Sequence, residues 1–227
     1  MRSIKEAILA WPLLALLLLA DAVFISLHVW YWSMGWLETS HQFDLEWGTG
    51  APEYYTYFKW LICSVAALWL FARNRDLVYL AWAALFFWFL VDDAENMRTT
   101  GGAWIAGVMD WGPAWGLPAQ GVGELVVSGI AGILLLGGIA VAYWRSPDAE
   151  AKAFSKALAP WLGALIVFGV GVDTLHAVVA HRTGLSAFLA VVEEGGEMIV
   201  ASILTAIVCL YALPATRRGT LTARSSR

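Results

Sequence analysis

The stretch GVDTLHAVVAHRTGLSAFLAVVEEGGEMIVAS, residues 171–202, decides how this chain is read. It brings Asp173, His176, His181, Glu193, Glu194 and Glu197 into one expected helix–loop–helix. Apolar segments long enough to span a bilayer flank it on both sides. Ionisable groups held near hydrocarbon are costly, so they take partners and commonly have a task.

Outward from that stretch the chain stays apolar. Its 227 residues are 60% hydrophobic and 14% charged, with a mean hydropathy of +0.67. A soluble domain carries about a quarter charged residues. The composition therefore predicts an integral membrane protein. Six apolar spans are read at residues 8–31, 54–71, 77–91, 124–144, 160–181 and 194–213. The third is short unless Asp92 and Asp93 are counted within it. A lone span must satisfy its own backbone in lipid, so each is expected to be a helix. The alternation of a transmembrane barrel strand is absent.

The expected fold is all-α: one six-helix transmembrane domain over residues 1–215, then a basic, disordered tail at 216–227. Arg2, Lys5 and the run ending Ala20-Asp21-Ala22 resemble a signal peptide. The apolar run continues through residues 23–32, however, and a length of about 20 or more residues suits an uncleaved first helix. Cys63 and Cys209 lie in different spans without metal or disulfide spacing, so both are expected to be packing residues.

The connections alternate in charge. Residues 1–7, 72–76, 145–159 and 216–227 carry nearly all the arginines and lysines. The positive-inside rule places those segments, and both termini, in the cytoplasm of what is expected to be a bacterial inner membrane. Most acids, and His28, His41, His176 and His181, fall toward the opposite face. Tryptophans of the outer connections fit an interfacial belt. Residues 97–123 are glycine-punctuated and are expected to lie along the interface or re-enter the membrane. Lys59, just inside the second span, is expected to snorkel outward or to pair with an acid such as Glu53.

Three acid pairs recur. Asp21 precedes Glu53 by 32 positions, Asp92 precedes Glu124 by 32, and Asp173 precedes Glu197 by 24. At about 1.5 Å per residue the aspartates sit at about 20–22 Å along their spans, in the outer third of a core roughly 30 Å thick. The glutamates are expected to begin the returning helices, where negative charge suits the helix dipole. This predicts three antiparallel hairpins related by a parallel pseudo-threefold repeat.

The expected site is this carboxylate–histidine layer. Asp21 and His28, Asp173 and His176, and Glu194 and Glu197 each share a helical stripe. Such groups suit a divalent transition metal, namely zinc, iron or manganese, with Asp173, His176, Glu194 and Glu197 as first ligands and Asp92, Glu124, Asp21 and His28 as second. His181, Glu193 and Tyr57 are the candidates for proton transfer in hydrolysis or oxidation of lipid-derived substrates. Two other classes fit the same residues: a proton- or cation-coupled transporter, and a structural subunit whose acids clasp helix ends. Membrane lipids are the expected partners. No basic face supports nucleic-acid binding.

Overall fold

The computed structural model describes residues 4–36, 41–45, 47–179 and 183–213, and the regular elements among them are helices, without strands. The elements are α1 (Ile4–Ser33), α2 (Ala51–Asn74), α3 (Leu77–Glu95), α4 (Met97–Val108), α5 (Ala119–Arg145), α6 (Ala149–Ile166), a π-helical segment (Val167–Val172), α7 (Asp173–Val179) and α8 (Thr183–Ala212). Six helices are long and apolar enough to cross a membrane. Their exposed side chains include Leu16, Leu19, Phe58, Val65, Ile133 and Leu134. Long helices that are apolar outside as well as inside are built for lipid, and the chain reads as a multi-pass membrane protein.

The third span does take in Asp92 and Asp93. It ends at Asn96, whose φ of 50° closes the helix with its N–H on the Asp92 carbonyl. Asparagine is among the few residues that enter this left-handed region at modest cost. The corner launches α4, so the glycine-rich connection begins as a helix packed on α5. The two backbones nearly touch. A Cβ on Gly102 would lie 2.6 Å from the Glu124 nitrogen, and one on Gly123 would overlap the Gly102 carbonyl. Gly123→Val is therefore expected to cost about 1–3 kcal/mol by overpacking. It should loosen α4 and speed tryptic cleavage after Arg98; cleavage at the wild-type rate would refute this packing account.

Three boundaries differ from the sequence expectation. The fourth span was expected from residue 124, but α5 starts at Ala119, so Glu124 lies beyond its first turn and the dipole role expected for it does not apply. The sixth span was expected from residue 194, but α8 starts at Thr183 and residues 183–193 are helical. Glu197 thus sits mid-helix, about four turns from the start at 3.6 residues per turn, and the dipole role expected for it does not apply. Glu53 keeps that role in the first turn of α2. At the other end of the bundle, Asp148 caps α6 by accepting from the Glu150 N–H at 2.8 Å. Lys152 and Lys156 therefore lie on a helix rather than in a loop.

Packing centres on α8, which contacts α1, α2, α6, the π segment and α7. The Gly195-Gly196 pair permits this. A Cβ on Gly195 would lie 3.1 Å from Ile25, and one on Gly196 would lie 2.5 Å from the Phe168 ring. Away from α4 the bundle is filled by an apolar core including Cys63, Ala67, Trp82, Phe86, Phe154, Leu158 and Leu204. Asp76 caps α3 by accepting from the Val78 N–H and also accepts from the Ser146 hydroxyl at 2.6 Å, tying two turns together. A threefold repeat predicts like surroundings for Asp21, Asp92 and Asp173; theirs differ, as the site shows.

Candidate functional site

The polar layer resolves into separate clusters. Asp21 of α1 and Lys59 of α2 are 1% and 0% exposed. The Lys59 ammonium donates to Asp21 Oδ1 at 2.9 Å, the Met198 carbonyl at 2.8 Å and Ser202 Oγ at 3.2 Å. An ammonium has three protons, and each has an acceptor here. Ser202 Oγ donates to the other Asp21 oxygen at 2.7 Å, and the Tyr55 ring lies 4.2 Å from the ammonium. Lys59 neither snorkels nor pairs with Glu53. It joins α1, α2 and α8 inside the bundle.

His28 does not join Asp21, although the two share a stripe. Its Nδ1 accepts from the Leu45 N–H at 3.1 Å and lies 3.6 Å from Asp44, so it pins the loop after α1.

The second cluster surrounds Arg98 of α4. Its backbone N–H donates to Asp92 Oδ1 at 2.7 Å. Its guanidinium donates to the Gly169 carbonyl at 2.8 Å and lies 3.5 Å from Asp173 Oδ2. Gly169 belongs to the π segment, a kind of helical irregularity found frequently at functional sites. Burial disfavours the charge of Arg98, but Asp173, Glu197, Asp92 and Glu124 outweigh burial and hold its pKa above the ordinary value. Glu197 presses on Gly169, where a Cβ would lie 3.3 Å from its carboxyl carbon. Glu194 lies within electrostatic reach of the carboxylates of Glu197, Glu53, Glu193 and Asp93. Asp93 accepts from the Trp60 indole at 2.8 Å, and the Tyr57 hydroxyl donates to the Asp93 carbonyl at 2.9 Å. Glu124 accepts from the Gln120 amide at 2.9 Å.

A cavity of about 140 Å³ opens beside this cluster. Its walls include Trp88, Phe89, Leu135, Leu162 and Ile166, and its polar end includes Asp92, Asp93, Arg98, Ser128 and Glu197.

The third cluster joins α7 to α8. His176 Nδ1 lies 3.0 Å from Glu193 Oε2, and its Nε2 lies 2.8 Å from Ser186 Oγ. His176 thus turns away from Asp173, its expected partner three residues earlier. His181 lies outside the described residues.

The eight expected metal ligands are therefore divided. Asp21 is in the lysine clasp and His28 is on the loop. Asp92, Glu124, Asp173 and Glu197 surround Arg98, Glu194 lies within electrostatic reach of the neighbouring carboxylates, and His176 is with Glu193. Among the described residues, no three His, Cys, Asp or Glu side chains are grouped to hold a metal ion. The sequence reading missed Arg98 as the hub, and Ser186 and Ser202 altogether. Lys59 carried a usable signal, since a cation well inside an apolar span needs a carboxylate. The serines carried none. No protein-family model, curated protein or solved structure matches this chain.

Proposed function

We propose that this protein receives the polar end of a lipid-derived molecule at the Arg98 carboxylate cluster, from a cavity between α3, α5 and α6. By the positive-inside rule that cluster lies toward the extracytoplasmic side, with both termini cytoplasmic. The cavity carries this reading. Ligand sites are mostly apolar with a few converging polar groups, and this one has aromatic and aliphatic walls below Arg98, Asp92, Asp93 and Glu197. Among the described residues, the Glu197 carboxyl accepts no hydrogen bond from the protein, which leaves it to a ligand or water. It and Asp93 are the groups placed for acid–base work there.

We rank this reading ahead of transport because the polar clusters stop at the apolar core that fills the rest of the bundle. We rank it ahead of a purely structural layer because a clasp needs no cavity. Arg98 is the compensating charge we assign to the cluster, in place of a transition metal.

Gly132 lines the cavity and has open space at its Cβ position. Gly132→Trp is expected to fill the cavity. The test is mass spectrometry of lipophilic compounds retained by detergent-purified protein. Wild type should retain a compound that the variant loses by about tenfold or more, a difference of 1.4 kcal/mol or more. Identical compounds in identical amounts would defeat the proposal.

A further inference from the structure

We propose that Ser186, His176 and Glu193 form a nucleophilic relay that hydrolyses a lipophilic acyl ester at the membrane boundary. The inference stands independently of what occupies the cavity beside Arg98. Ser186 and Glu193 are seven residues apart on α8, two turns along one face. His176 reaches both from α7, with opposite ring nitrogens at 3.0 Å from the carboxylate and 2.8 Å from the hydroxyl. In its ionised form the Glu193 carboxylate only accepts; it then directs the proton to Nδ1 and leaves Nε2 to accept from Ser186. That is the order of contacts in which a serine is activated for acyl transfer, and such relays are recognised by geometry rather than by sequence position.

Position supplies the substrate class. Ser186 stands beside Leu185, where the last apolar span begins. The ester carbonyls of lipids lie at that depth, between hydrocarbon and head groups. Ser186 is half-buried, and the side chains of His176 and Glu193 are 18% and 10% exposed, so the relay is reachable yet shielded. Leu175, Leu185 and Phe188 are exposed apolar neighbours for an acyl chain.

In the reaction, Ser186 Oγ bonds to the ester carbonyl carbon as its proton passes to His176 Nε2. The bond from that carbon to the alcohol oxygen breaks, and the alcohol leaves with the proton from His176. Water then attacks the acyl carbon and gives its proton to His176, which returns it to Ser186 as the fatty acid departs. Water is the only co-reactant, and no redox change occurs. Glu193 is a positioning residue that holds the imidazole.

The test is covalent labelling of the full-length protein in detergent with a long-chain alkyl fluorophosphonate, read by peptide mass spectrometry. Wild type is expected to carry the adduct on Ser186, and Ser186→Ala to carry none. His176→Ala should label about a hundredfold or more slowly, and Glu193→Gln about tenfold or more slowly. Glu193→Gln keeps the side chain's shape, so it reports on the relay even if His176→Ala folds poorly. Gly132→Trp should label at the wild-type rate, which separates this site from the cavity. Monodisperse wild type without a Ser186 adduct, or Glu193→Gln labelling as fast as wild type, would overturn the proposal.

Discussion

Lys59→Met is expected to destabilise the protein by about 3–5 kcal/mol, the usual cost of removing one partner of a buried ion pair. For a chain of this size that lowers the apparent melting temperature on the order of 10 °C. The variant leaves the Asp21 carboxylate buried with only Ser202 as donor. It also strips the Met198 carbonyl of the ammonium that it accepts from at 2.8 Å. Lys59 ties α1, α2 and α8 together through Asp21, Met198 and Ser202, so its loss should loosen the three helices together. Asp21→Leu combined with Lys59→Met is expected to recover most of the loss, since an apolar pair of similar size commonly replaces a buried ion pair at little cost. Thermal unfolding in detergent, followed by tryptophan fluorescence, reads both effects. An unchanged melting temperature in the single variant would show that the clasp contributes nothing.

Arg98→Gln is the second large effect. Asp173, Glu197, Asp92 and Glu124 all favour the charged form of Arg98. Its side chain and that of Asp173 are each 34% exposed, so solvent screens part of the interaction. The expected cost is accordingly about 2–3 kcal/mol, below the range for a fully buried pair. The loss should be local. Arg98 holds α4 to the π segment through the Gly169 carbonyl, so hydrogen exchange should accelerate in Met97–Val108 and Val167–Val172 before the rest of the bundle responds. Asp173→Asn in the Arg98→Gln background should slow that exchange again by removing one uncompensated charge. Exchange unaffected by Arg98→Gln would mean that α4 is held by its glycine contact with α5 alone.

The polar layer was legible as a set of residues but not as a set of pairs. Asp21 and His28 share a stripe by helical spacing, yet Asp21 turns to Lys59 and His28 to the Leu45 N–H. Asp173 and His176 share a turn, yet one meets Arg98 and the other Glu193. Spacing along one helix says which side chains leave on the same side; it does not say what waits there. Glu197 was misplaced for a related reason. Residues 183–193 have the composition of either an apolar loop or a helical turn, and only packing of α8 against α1 and α7 selects the helix.

The sequence by itself determined the six spans, their helicity and the gathering of acids and histidines toward one end. These follow from local quantities: hydropathy over a bilayer's thickness and the need of each span to satisfy its own backbone. Only the tertiary structure decided the partners. Lys59 and Ser202 are 143 positions apart, and Arg98 and Gly169 are 71 apart. Such contacts depend on which helices are neighbours and how closely Gly102, Gly123, Gly195 and Gly196 let them approach. In lipid the apolar faces of different helices look alike, so hydropathy cannot choose among neighbours; close packing and the pairing of buried charge do.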